Sequence, residues 1–286
     1  MLTWLGTGLL GSNFVRALRR RGEAVQVWNR SPDKARALEA DGARALPDPA
    51  DAVRGATRVH LTLSDDAAVD DVLERARPGL GPDVTLVDHT TTSPAGTAAR
   101  AQRWQQRGVA FLHAPVFMAP AHALAGTGLM LAAGPRARFD ALAPALSART
   151  GKLVHVGEAP ERAAIHQRIG NLALMVVTTG VAEALRLAHA TDLPSSELQG
   201  LFELLSPGFS PAARLGRILD ADFTQPSWEL AMARKDARIM LDTAAAAGHP
   251  LAVLPALAAE FDRWIASGHG HHDWTVIASD VRDNRN

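Results

Sequence analysis

The chain has 286 residues, which at roughly 100–200 residues per domain favours two domains, and 47% of them are hydrophobic, enough for a sizeable core. Lys plus Arg and Asp plus Glu are both 30, so no charge imbalance points to nucleic acid or an anionic membrane as a partner. Cysteine and tyrosine are absent, which excludes disulfides, thiolate metal sites, a cysteine nucleophile and a tyrosine general acid.

The apolar opening, Met1–Leu10, is broken by Gly6 and Gly8 and carries no basic leader, so a cytoplasmic protein is expected. Short apolar runs then follow at Leu2–Leu5, Ala24–Trp28, Val59–Leu63, Val84–Asp88, Ala110–His113, Gly128–Ala132 and Leu153–Val156. They read as strands covered on both faces. Helical stretches such as Ser12–Arg21, Pro32–Asp41 and Ala67–Ala76 separate them, and that alternation predicts a parallel, doubly wound sheet.

The pattern changes near Gly157. Glu161–Ala190 contains no proline and predicts one helix, on the order of 45 Å long. Its apolar part, Ile169–Leu185, is interrupted by Asn171, Thr178, Thr179 and Glu183, which favours a buried soluble helix over a membrane span. Further helices are expected up to Arg263, separated by turns at Ser206-Pro207-Gly208 and Gly248-His249-Pro250. The apolar positions Leu172, Met175, Val176 and Thr179 share helical spacing and predict a core or subunit face, hence a homodimer through the helical domain. The expected division is an α/β domain over 1–158 and an all-helical substrate and dimerisation domain over 159–286.

Trp4-Leu5-Gly6-Thr7-Gly8-Leu9-Leu10-Gly11 follows the first strand and opens a helix. In a dinucleotide fold the first glycine allows the tight turn, the second admits the pyrophosphate, and the third lets helix and sheet pack closely. The fold class is therefore α/β, a Rossmann-type doubly wound sheet followed by an all-helical domain. The second strand ends at Trp28, where NAD enzymes usually place an acidic residue for the ribose 2′-hydroxyl. Here Asn29-Arg30-Ser31 follows, with Lys34 nearby, a set suited to a 2′-phosphate and so to NADP(H). The alternative is a helix-entry turn with a solvated arginine.

These residues resemble the β-hydroxyacid dehydrogenase family, which includes 3-hydroxyisobutyrate dehydrogenases and 6-phosphogluconate dehydrogenase-like proteins and looks related to imine reductases. The resemblance extends to Leu63-Ser64-Asp65-Asp66-Ala67-Ala68-Val69, to Asp88-His89-Thr90-Thr91-Thr92-Ser93-Pro94, to the loop from Ala114-Pro115-Val116 through Gly128, and to Lys235-Asp236. It implies that Leu63, Ser64 and Thr91 line the cofactor path and that Lys235 closes over the nicotinamide end; Thr90 and Thr91 also stand at the C-terminal end of the fourth strand, where open α/β sheets bind ligands. It also implies a catalytic lysine four residues before Asn171, but that position is Gln167, flanked by His166 and Arg168. A glutamine amide donates a hydrogen bond but cannot act as the acid.

The family's carboxylate-cradling Ser-Gly-Gly is replaced by Phe117-Met118-Ala119, and the aspartate usual before Ala-Pro-Val is His113. Phe117, Met118 and the nearby His122 are thus the expected substrate residues. They favour a small non-acidic carbonyl or imine over a hydroxy acid. Gln167, Asn171 and Lys235 are the catalytic candidates. The run Gly268-His269-Gly270-His271-His272-Asp273 has metal-ligand types but reads more simply as a polar loop, and no metal is expected. Two other functions compete: a β-hydroxyacid dehydrogenase with a displaced proton donor, and a silent NADP(H)-binding protein.

Overall fold

The computed structural model describes residues 1–205, 211–220 and 222–281. The turn expected at Ser206-Pro207-Gly208 lies outside the described residues. The chain divides into two compact units, Met1–Asn171 and Leu172 onward.

The first unit is built on a parallel sheet of six strands. They are β1 (Leu2–Leu5), β2 (Val25–Trp28), β3 (Arg44–Ala45), β4 (Arg58–Leu61), β5 (Thr85–Asp88) and β6 (Ala110–His113), in the order β3-β2-β1-β4-β5-β6. Alternate residues of each strand feed two cores. On one face Trp4, Val27, Val87 and Leu112 pack against Phe14, Val15 and Leu18 of helix α1 (Leu9–Arg20). On the other, Leu5, Val59, Leu61 and Leu86 pack against Val69, Val72 and Leu73 of α4 (Asp66–Ala76) and Trp104 of α5 (Pro94–Gln106). Both faces are covered, which is why the strands read as continuous apolar runs.

The first unit departs from expectation in three ways. The two-residue β3 is too short to show a period and extends the sheet edge beyond β2. The stretch expected as one helix over 32–41 splits into α2 (Pro32–Arg36) and a 3-10 turn, Glu39–Asp41, which ends at Gly42 with φ +83°. Third, the last two runs do not continue the main sheet. β8 (Leu129–Ala132) and β9 (Lys152–His155) form a second sheet with β7 (Val116–Phe117), which pairs antiparallel to β8. Pro115, directly before β7, has no N–H to give a ladder. Short helices α3 (Pro49–Val53) and α6 (Pro120–Ala125), with the longer α7 (Arg136–Ser147), complete the connections.

Helix α8 runs over Glu161–Ala190 as expected, and the boundary between the two units falls inside it. In the second unit α9 (Ser195–Leu205), α10 (Pro211–Asp220), α11 (Leu230–Ala246) and α12 (Leu254–Trp264) follow. Leu230, Phe261, Trp264 and Val276 form that unit's core. Glu183 of α8 accepts from the N–H groups of Ala252, Val253 and Leu254, so its carboxylate satisfies the otherwise unpaired start of α12.

The expectation of a buried long helix is not met within one chain. Leu172, Met175 and Val176 are 64%, 67% and 59% exposed. By length and composition alone α8 is apolar enough to cross a membrane.

Candidate cofactor site

The register aligns Leu5 with Trp28 on one side and Leu61 on the other, and Leu61 with Asp88. The segments leaving β1, β2, β4 and β5 therefore emerge at one edge. Strand order reverses between β2 and β4 around β1, the place where open α/β sheets form a crevice.

The glycine loop is fixed by contacts that exclude any side chain at two positions. A Cβ on Gly6, which has φ +93°, would lie 2.2 Å from the Thr62 carbonyl oxygen. One on Gly11 would lie 2.1 Å from the Gly6 oxygen and 2.3 Å from Thr62 Oγ1. Thr62 completes the turn: its hydroxyl donates to the Gly6 carbonyl at 2.7 Å and accepts from Trp4 Nε1 at 2.8 Å. Gly8 differs, because no heavy atom lies within 4 Å of where its Cβ would be.

α1 starts at once after Gly8, earlier than the sequence pattern suggested, with no side-chain cap and no acidic residue in its first turn. Its leading N–H groups and partial positive charge are thus left for a ligand, and phosphate is the group such an end binds. Beside it the buried Thr7 Oγ1 has no hydrogen-bond partner among the described residues. An open Gly8, an uncapped helix start and an orphaned hydroxyl fit a dinucleotide pyrophosphate.

A cleft of about 330 Å³ continues from this loop and is lined by Gly6, Gly8, Arg30, Ser31, Lys34 and Ser64, among others. Asn29 also lines it, but both ends of its amide serve the fold. Its Oδ1 accepts from Thr7 N at 2.9 Å, and its Nδ2 donates to the Ser31 carbonyl at 3.1 Å. The facing wall, from α4, adds Asp71 and Arg75, which sequence reasoning missed.

A second cleft, of about 240 Å³, is lined by Gly8, Leu9, Leu10, Leu63, Thr90 and Thr91, with Thr62 and His89. Its two loops are latched together. Thr90 Oγ1 accepts from Leu63 N at 3.0 Å, and Asp66 Oδ2 accepts from Ser93 N at 2.8 Å. The fully buried Arg100 donates to Asp66 and Asp70 and lies 3.7 Å from Asp88. The two loop motifs named in the sequence are thus halves of one structural clamp.

Below the clamp lies a polar core. Asp88 Oδ1 accepts from Thr90 N, while Oδ2 has no hydrogen-bond partner among the described residues. Burial pushes the Asp88 carboxyl up to about 6, against the pull of Arg100. Burial pulls His113 down to about 3, and Arg100 adds to that. Burial also lowers His89 to about 4, and it holds His60 well below its usual range with help from Arg149.

Neutral imidazoles then form a chain of one sense. Arg149 Nη1 faces His60 Nε2 at 3.4 Å, His60 Nδ1 donates to His89 Nε2 at 2.9 Å, and His89 Nδ1 donates to the Ala114 carbonyl at 2.6 Å. Trp4 stacks on both rings. His60 did not stand out in the sequence, and nothing there linked it to His89 or set His113 beside Asp88, because a strand residue's partners lie on other strands.

Of the expected catalytic and substrate residues, those in the first unit are not among the residues lining either cleft. Gln167 is buried, donating through Nε2 to the Val116 carbonyl at 3.1 Å, and its Oε1 has no partner among the described residues. Asn171 is half-buried one turn further along α8, and neither residue lines either cleft. The neighbour of Gln167, Arg168, instead reaches the threonine loop, donating through Nε to the Thr92 carbonyl at 3.1 Å.

Phe117, expected in a substrate wall, packs with the second sheet and so close to α8 that a Cβ on Gly170 would lie 2.4 Å from its ring. Met118 packs on the first core, and a Cβ on Gly128 would lie 2.8 Å from its Cγ. His122 Nδ1 accepts from Ala119 N and caps α6. Lys235 belongs to the second unit, 3.0 Å from Asp236. In the histidine-rich run His269 and His272 pair through Nδ1 at 2.8 Å. The following Asp273 is a structural hub for Ser227, Thr275 and Arg217, and the described residues hold no group of ligands arranged for a metal ion.

Comparison with known proteins agrees with this geometry. Residues 1–157 match the family model of the NAD binding domain of 6-phosphogluconate dehydrogenase. Over 286 aligned residues the chain is 26% identical to the 3-sulfolactaldehyde reductase of Escherichia coli, spanning 98% of this chain and 95% of that protein. The imine reductase of Myxococcus stipitatus in complex with NADP+ superposes with a TM-score of 0.90 at 22% identity, covering 99% of this chain and 100% of that one. A variant of the same enzyme in complex with NAD+ gives 0.86 at 21% identity, covering 99% of both chains.

Proposed function

We infer, since the chain belongs to the family of the NAD binding domain of 6-phosphogluconate dehydrogenase and is an NAD(P)-dependent reductase of the β-hydroxyacid dehydrogenase type, that it uses NADPH to reduce a small, non-acidic carbonyl or imine. The observation that carries the cofactor half is the cleft beyond Gly8, where Arg30, Ser31 and Lys34 stand in place of an acidic residue. A guanidinium and an ammonium on one wall favour a phosphate ester over a free ribose hydroxyl.

When bound, the nicotinamide supplies hydride. The chain's own part is to hold the pyrophosphate on the α1 N–H groups and to fix the loops at Leu63 and Thr90 through the Asp66–Ser93–Arg100 clamp. Gln167 supplies no proton. Arg168, beside Thr92, is the cation nearest in sequence to the missing lysine, and in this reading its guanidinium stabilises developing negative charge.

The substrate half rests on that missing acid, since a protonated imine needs none, and on solved neighbours whose titles specify imines; the aldehyde named for the Escherichia coli relative carries an anionic sulfonate and supports the carbonyl alone. The exposed apolar face of α8 around Leu172, Met175 and Val176 supports a homodimer as the working form. Calorimetry with Arg30→Ala tests the cofactor assignment. NADPH binding should weaken by about 1.5–3 kcal/mol, and NADH binding far less. Equal losses would refute it.

A further inference from the structure

A second guanidinium, that of Arg75 on α4, lines the same cleft as Arg30. Arg75 lies in the last turn of α4, 5.2 Å over the ring of Trp28 and 3.7 Å from Asp71, one turn back on the same helix. Trp28 is the final residue of β2, directly before Asn29 and Arg30. The indole therefore holds the end of a long, flexible side chain beside the loop that carries the other cations.

The charge count of the cleft lining is informative. Arg30, Lys34 and Arg75 are its cations and Asp71 its one carboxylate, so a surplus of positive charge converges from two separate walls. A single exposed ion pair is worth little in water, but like charges lining a concavity focus the field within it. The complement is a compact dianion. A ribose hydroxyl brings no charge of its own to these cations.

We propose that Arg75 is a specificity-determining residue that contacts the adenosine 2′-phosphate from the α4 wall, while Arg30 and Lys34 reach it from the β2–α2 wall. The assignment rests on the NADPH reading above. Asp71 has a secondary part. It pairs with Arg75, and without Arg75 its free carboxylate would repel a phosphate.

The test uses the full chain titrated calorimetrically with adenosine 2′,5′-bisphosphate and with 5′-AMP, which differ only in the 2′-phosphate. Arg75→Ala should weaken the bisphosphate about tenfold and 5′-AMP less than about twofold. Arg75→Lys should recover part of the loss. Asp71→Asn combined with Arg75→Ala should stay weak if Arg75 contacts the phosphate directly. Recovery to the original affinity would show that unmasked Asp71 was the whole effect and overturn the contact.

Equal losses for both probes would mean that Arg75 holds the base, and would also overturn it. If Arg30→Ala loses bisphosphate selectively while Arg75→Ala loses nothing, the proposal falls and the NADPH reading stands. If neither variant discriminates, or the unaltered chain binds neither probe, both fall.

Discussion

Lowering the pH from 7 to 5 should destabilise the first unit by on the order of a few kcal/mol, well before ordinary carboxylates titrate. Three buried imidazoles set the sign. Unfolded, each takes up a proton near pH 6.5; folded, His89 does so at about 4, His113 at about 3, and His60 well below its usual value. The stability they contribute is complete above the unfolded value and is lost as pH falls from there toward the folded values.

Asp88 works the other way. Its folded carboxyl is raised to about 6, so it gains a proton before the unfolded chain does and returns stability between pH 6 and its usual range. Between pH 7 and 5 His89 and His113 each lose on the order of 2 kcal/mol, His60 adds to the loss, and Asp88 returns on the order of 1 kcal/mol, so the loss prevails. Urea unfolding followed by tryptophan fluorescence should show the midpoint falling at pH 6 and again at pH 5, with Trp4, stacked 4.8 Å from His60, as a reporter. His113→Leu removes a ring whose nitrogens both lack partners among the described residues, and should flatten the slope by about one proton. A midpoint that is unchanged or rises on acidification would refute the neutral-histidine core.

Three further outcomes follow from single contacts. Gly11→Ala places a methyl 2.1 Å from the Gly6 oxygen, so thermal unfolding should show a loss of about 2–3 kcal/mol, and cofactor binding should vanish in titration. Gln167→Lys restores the family residue but buries an ammonium beside the Val116 carbonyl, so the melting temperature should drop and turnover of hydroxy acids should not rise. A large gain in turnover would contradict the placement of this side chain. Glu183→Gln weakens the acceptor for three backbone N–H groups at the start of α12 and should cost about 1 kcal/mol in denaturant unfolding.

Much of this architecture was legible because its signals are local. The glycine loop follows β1 within a few residues, and β1, β2, β4 and β5 are buried runs bounded by polar turns. The long α8 announces itself by thirty residues without proline. What was not legible depends on partners distant in sequence. Arg75 reads as a surface helix residue until Trp28 is placed beneath it, and Thr62 reads as a strand end until its hydroxyl meets Gly6.

The packing of Phe117 was hidden for the same reason. An aromatic after Val116 suggests a pocket wall, and only the pairing of β7 with β8 shows that its ring also packs against Gly170. The two loop motifs were visible as motifs, but that Asp66 and Ser93 bind each other is a fact of the fold alone.

The most direct test of the account is turnover of NADPH by the purified protein against a panel of aldehydes, cyclic imines and hydroxy acids, with NADH run in parallel. NADPH should be oxidised with an uncharged aldehyde, ketone or imine, faster than NADH. Hydroxy acids should give no comparable rate with NADP+. Efficient oxidation of a 2- or 3-hydroxy acid, or equal use of the two cofactors, would contradict it.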